Sequence, residues 1–145
     1  MIRRPGWRLG LLGGLPRDLS PLEPYRDEVE FLGRVGHSEM PSRMSEADVF
    51  VFPSLFEGSA VVTYEALACG LPSIVTAESG AVARHDRDGI VVPAADVESL
   101  AASMERLGRD PSLREAMARS ARLRAEEFDW SRYHAAIIDA IGRVA

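Results

Sequence analysis

Two carboxylates, Glu57 and Glu65, stand with seven residues between them, and the first is followed at once by Gly58, Ser59, Ala60 and Val61. A carboxylate accepts hydrogen bonds from hydroxyls, while uncapped amides at a helix start, at the positive end of its dipole, receive anionic oxygens. After Ser59 the apolar period becomes helical, through Val61, Val62, Glu65, Ala66 and Ala68. On that reading Glu65 lies about six residues past the helix start, roughly 9 Å along an axis that rises about 1.5 Å per residue. The two glutamates therefore bracket something longer than one sugar ring: an elongated polar ligand with an anionic middle. Taken alone they also fit a plain arrangement, with Glu57 capping the helix or solvated and Glu65 an ordinary surface residue of it.

Those side chains need a scaffold. Residues 49–52 are a short, wholly apolar run closed by Pro53, the pattern of a parallel strand covered on both faces. Gly70 is the expected stop of the helix, with Pro72 just past it. Strand, loop and helix in that order place the glutamates at the carboxyl end of a parallel strand, where ligands of open α/β sheets bind. Further strands are expected over 7–12, closing in Gly13 and Gly14, and over 29–32, 73–76 and 89–92. Pro16, Pro21 and Pro24 argue against a long helix over 15–27. A short piece broken by proline spans 39–46. Asp96 caps a helix to about Leu107, with Val97, Leu100, Ala101, Met104 and Leu107 on one face. Asp110 and Pro111 open another, to about Glu127, with an apolar stripe of Leu113, Met117 and Ala121 ending at Arg124. Asp129 or Ser131 caps a last one to about Arg143, which Trp130 is expected to anchor.

Glu57 and Glu65, followed by Ala66-Leu67-Ala68-Cys69-Gly70-Leu71-Pro72, resemble the paired-glutamate motif of retaining glycosyltransferases of the two-Rossmann-domain type, above all family 4. Val29-Glu30-Phe31-Leu32-Gly33-Arg34-Val35, the stretch 47–54 and Gly89-Ile90-Val91-Val92-Pro93 resemble that family's segments in the family's order. The resemblance implies a Rossmann-like three-layer α/β/α fold with a mostly parallel sheet and C-terminal helices, the donor-binding domain of such an enzyme. It also implies transfer of a hexosyl group from a nucleotide diphosphate sugar with retention. Glu57, named as the catalytic candidate, would hold a donor-sugar hydroxyl, and Glu65 the ribose hydroxyls. The Gly58, Ser59, Ala60 and Val61 amides would take diphosphate or sugar oxygens, and Gly33, Arg34 and Val35 would line the base pocket. Ser59-Ala60 stands where many relatives have Phe-Gly, a departure at the sugar contact. The resemblance further implies that the final helix packs on a partner domain, leaving Tyr133, Ile137, Ile138 and Ile141 short of burial here.

The family's first strand, its Gly-Arg and a nearby Lys-Gly have no counterpart, since Arg3 and Arg4 precede a strand. In the strand order 3-2-1-4-5-6 the absent one is central. Residues 1–145 are therefore expected to be an N-terminally truncated donor domain, inactive alone, whose partner is the missing acceptor domain or another chain. The alternatives are a noncatalytic nucleotide-sugar-binding or subunit-interaction module, and a nucleotide-sugar epimerase or phosphorylase of the same fold.

The 145 residues, 46% hydrophobic, suffice for one domain with a core. A net charge of -5 leaves no general footprint for nucleic acid. No run has the length of a membrane span and the start lacks a signal peptide's apolar region. The single cysteine, Cys69, forms no internal disulfide and fits a reducing cytoplasm, with the inner membrane face as an option for a full-length enzyme. His37, His85 and His134 lack metal-ligand spacing, so neither a metal nor another cofactor is expected, the nucleotide sugar being the substrate.

Overall fold

The computed structural model describes residues 6–14 and 18–143. Arg3, Arg4 and Pro16 lie outside them. By its contacts the chain falls into two units, Met1–Met40 and Pro41–Ala145.

In the first unit, β1 (Leu9–Leu12) pairs in parallel with β2 (Val29–Gly33). The register runs Leu9 to Val29 and Leu11 to Phe31, then slips so that Leu12 faces Gly33, leaving Leu32 as a bulge. Leu9, Leu12 and Phe31 stay exposed. The proline-rich connection makes only a 3-10 turn, Ser20–Tyr25, as its composition dictates.

The second unit holds the three-stranded parallel sheet β3 (Phe50–Phe52), β4 (Ser73–Thr76) and β5 (Gly89–Val92), in that order. Among the described residues no ladder joins it to β1 and β2. Five helices complete the order: α1 (Met40–Ser45), α2 (Val61–Ala68), α3 (Val97–Arg109), α4 (Pro111–Ala125) and α5 (Trp130–Gly142). Pro41 sits in the first turn of α1, where its missing N–H costs nothing, so it starts that helix instead of breaking it.

The core forms where α3 and α4 cover the sheet. Ile74, Ile90, Val92, Leu107 and Met117 form one buried cluster, with Val49, Val51, Leu100, Met104 and Leu113 packed against it. Each fully buried Leu or Ile of this set contributes about 1.5–3 kcal/mol. The helices are placed by caps predicted from local spacing. Asp96 accepts from the Ser99 amide at 2.9 Å, Asp110 from Leu113 at 2.9 Å and Asp129 from Arg132 at 2.8 Å. Two packing expectations are corrected. Val97 is 72% exposed and Ala101 is also exposed, because the buried stripe of α3 runs through Ser103 and Leu107, one turn apart, with Leu100 and Met104 packed beside it. Trp130 is 75% exposed and anchors nothing below it; it stacks edge-on with Tyr133 on the same helix face. Tyr133, Ile137, Ile138 and Ile141 are exposed, as expected.

The turn into β5 is tied by an ion pair whose carboxylate is buried and whose guanidinium is partly in water. Asp88 is fully buried and accepts from the Arg84 amide at 3.0 Å, from both arms of its guanidinium at 2.8 Å and from Ser120 at 2.6 Å. Burial alone would raise its pKa, but those bonds together with the Arg84 charge outweigh it and hold the carboxyl below its ordinary value.

Candidate functional site

The site grows from the carboxyl end of β3. Pro53 stops the strand, and the chain crosses residues 54–60 before entering α2. The helix begins at Val61, with Ala60 as an extended N-cap that supplies no side-chain acceptor. Its first amides are therefore left to other partners. Thr63 satisfies the local geometry by turning its hydroxyl onto the Ala60 carbonyl at 2.7 Å. The later start corrects the axial estimate: Glu65 is the fifth helical residue, about 6 Å along the axis from Val61. At the other end Cys69 closes the helix and Gly70 follows with φ +72°, at the predicted stop.

A second segment, the single turn Ala77–Ser79 after β4, lies along this loop. Thr76 Oγ1 donates to the Ser54 carbonyl at 2.5 Å. The Glu57 amide donates to the Glu78 carbonyl at 2.8 Å, and the Ala60 amide to the Ser79 carbonyl at 3.3 Å. The loop is thus laced to the end of the neighbouring strand. This removes one expected donor: the Ala60 amide is taken and Ala60 is buried, so it is not open to a ligand oxygen. No hydrogen bond among the described residues uses the Gly58, Ser59 or Val61 amide, and all three residues are exposed. Glu57 is exposed beside them and Glu65 is half-buried on the helix.

The structure brings together Glu57, Gly58, Ser59, Val61 and Glu65 on one strand–loop–helix. The Ser59 hydroxyl donates to the Tyr64 hydroxyl at 3.4 Å, and Tyr64 meets Phe128 edge-on at 5.4 Å. Arg124 lies over the Phe128 ring and donates to the Val82 carbonyl at 3.1 Å. The Glu78 and Ser79 carbonyls escaped sequence reasoning, since a backbone acceptor carries no residue signature. The sequence carries one sign there, Gly80 close behind the strand expected over 73–76.

Gly33, Arg34 and Val35 belong to the first unit. Gly33 ends β2 with φ +68° and accepts from the Gly13 amide at 2.8 Å; Arg34 is exposed and Val35 half-buried. Burial, then the nearby Glu65 charge, pushes the Cys69 thiol up against a weaker opposing effect of Arg122. Among the described residues no group of three or more His, Cys, Asp or Glu could hold a metal ion. No helix among them is long and apolar enough to cross a membrane.

What this arrangement can do chemically is receive an anion on three amides, with carboxylates to either side for hydroxyls. The family model described as Glycosyl transferases group 1 matches residues 1–110. The D-inositol 3-phosphate glycosyltransferase of Pseudarthrobacter chlorophenolicus is 35% identical over 129 residues, 81% of this chain and 30% of that protein. Sucrose-phosphate synthase from Thermosynechococcus elongatus superposes with a TM-score of 0.82 at 26% identity, over 94% of this chain and 38% of that one. Anabaena HepE, in structures with UDP and with UDP-glucose, gives TM-scores of 0.84 and 0.79 at 20% and 21% identity, over 97% of this chain and 42% of that one. The fold is thus the Rossmann-like α/β type expected from the sequence. The chain spans about a third or less of the length of the curated relatives it matches.

Proposed function

The chain belongs to the group 1 glycosyl transferases, and from that premise we propose that it is the donor-binding half of an enzyme that moves a hexosyl group from a nucleotide diphosphate sugar to an acceptor, retaining the anomeric configuration. One observation carries the reading: the Gly58, Ser59 and Val61 amides are unused at the end of β3, with Glu57 before them and Glu65 one turn into the helix. The diphosphate would rest on those amides, which also receive the charge that grows on the leaving group. Glu57 would hold a hydroxyl of the donor sugar and Glu65 the ribose hydroxyls. Gly33, Arg34 and Val35 would line the base pocket. No metal or other cofactor enters this reading.

The exposed apolar face of α5 fits this donor-binding half, whose last helix would pack on a partner domain, and equally a second reading, a noncatalytic module that binds a nucleotide sugar or a subunit.

Calorimetric titration with UDP-glucose and GDP-mannose tests the site. Binding that weakens at least about tenfold in Glu65→Gln, as loss of a charge-assisted bond pair predicts, supports it. Affinity unchanged from the unmodified chain in both Glu65→Gln and Glu57→Gln, or no binding of any nucleotide sugar in a panel of bases, removes it. The anomer of the product formed by a full-length enzyme decides retention.

A further inference from the structure

We infer that Gly80 is a positioning residue: the absence of a side chain there lets the 77–80 turn act as the template that shapes the 57–60 loop and aims its open amides. The functional weight of this inference rests on the donor-binding reading above, while its geometry does not.

Gly80 closes the turn with φ +64°, in the left-handed region that favours glycine. A Cβ placed on it would stand 2.7 Å from the Gly58 carbonyl oxygen, 3.0 Å from the Ser59 Cα and 3.2 Å from the Gly58 carbonyl carbon. All three are backbone atoms, so no side chain can swing aside. The turn itself cannot yield, because Ser79 is fully buried and its hydroxyl is bonded to the Thr76 carbonyl at 2.6 Å. The loop must move instead.

Its weakest tie to the turn is the 3.3 Å bond from the Ala60 amide to the Ser79 carbonyl, beside the clash. The bond from Glu57 to Glu78, at 2.8 Å, and that from Thr76 to Ser54, at 2.5 Å, are shorter and hold that end of the loop. A methyl at position 80 therefore pivots residues 58–60 about Glu57 and turns the Gly58 and Ser59 amides. Hydrogen bonds weaken steeply with angle, and a misplacement of about 1 Å costs on the order of a hundredfold in positioned chemistry. Gly80 touches no ligand in this scheme; it acts through Gly58 and Ser59.

The test compares the 15N-labelled full chain with its Gly80→Ala and Thr76→Val variants. In Gly80→Ala the amide resonances of residues 57–61 are expected to move while those of β5 stay, and the Kd for UDP-glucose or GDP-mannose to rise at least about tenfold. Unmoved Gly58 and Ser59 resonances overturn the inference whatever the affinity. If the unmodified chain binds neither probe nor any other nucleotide sugar of the panel, the donor-binding reading fails and the resonances alone decide the role of Gly80. Should Gly80→Ala not fold, Thr76→Val decides. It keeps the buried volume and removes the tie to Ser54, so the Glu57 amide should exchange with solvent at least about fivefold faster; unchanged exchange overturns the template.

Discussion

The two sheets are built from similar apolar residues and end in opposite states. In β4 every residue is buried, with Ile74 at 0% and Val75 at 1% exposure, whereas Leu9, Leu12 and Phe31 of β1 and β2 are each exposed by more than a third. The β4 strand is central in its sheet and covered by α3 and α4, and its polar groups are satisfied by Leu71 and Ser54 carbonyls. The β1–β2 pair belongs to a unit of forty residues, a size at which a chain seldom builds a core of its own. An apolar run thus specifies a strand; burial is set by what else packs on it.

Substitutions that separate these states should differ in cost in a definite order. Asp88→Ala, which leaves Ser120 without its acceptor and Arg84 with only its 4.0 Å contact to Glu127, should cost about 3 kcal/mol in urea unfolding followed by circular dichroism, the low end for a broken buried pair because Arg84 is itself partly in water. Leu107→Ala, at 0% exposure in the cluster, should cost about 2–5 kcal/mol, toward the lower half if α3 settles into the space. Phe31→Ser in β2 should cost less than about 1 kcal/mol, and Ile138→Ser on α5 should fall within about 0.5 kcal/mol of zero. A loss at Phe31 as large as that at Leu107 would erase the contrast.

Acid sharpens it. The folded-state pKa of Asp88 lies below the unfolded one, so the unfolded chain binds more protons between them. The stability from this pair is complete above the unfolded carboxylate value, near pH 4, and is lost as pH falls through the lower, folded value. The bonds of Asp96 to Ser99 and of Asp110 to Leu113 act in the same direction. Unfolding midpoints measured from pH 6 to pH 2 should fall steeply at the acid end, and Asp88→Asn should flatten that limb.

What could be read ahead of the structure was local. The caps at Asp96, Asp110 and Asp129 are contacts over three residues, and the stops at Pro53 and Gly70 are chain geometry, so spacing alone revealed them. The glutamates came from their motif and lie at the strand end it implied. The occupied Ala60 amide and the exposed Trp130 and Val97 depend on partners distant in the chain or absent from the helix face, which no window of sequence contains.

One contact made late in the chain has a bearing on dissection. Arg122 of α4 donates to the Ala68 carbonyl at 2.6 Å, holding the last turn of the eight-residue helix that carries Glu65. A helix that short does not persist unaided in water. A protease nick between α3 and α4 that let α4 drift away would therefore melt α2 as well, though the cut lies some forty residues from Glu65 in the chain. The helix bearing Glu65 and the helix behind it form one unit of proteolytic resistance.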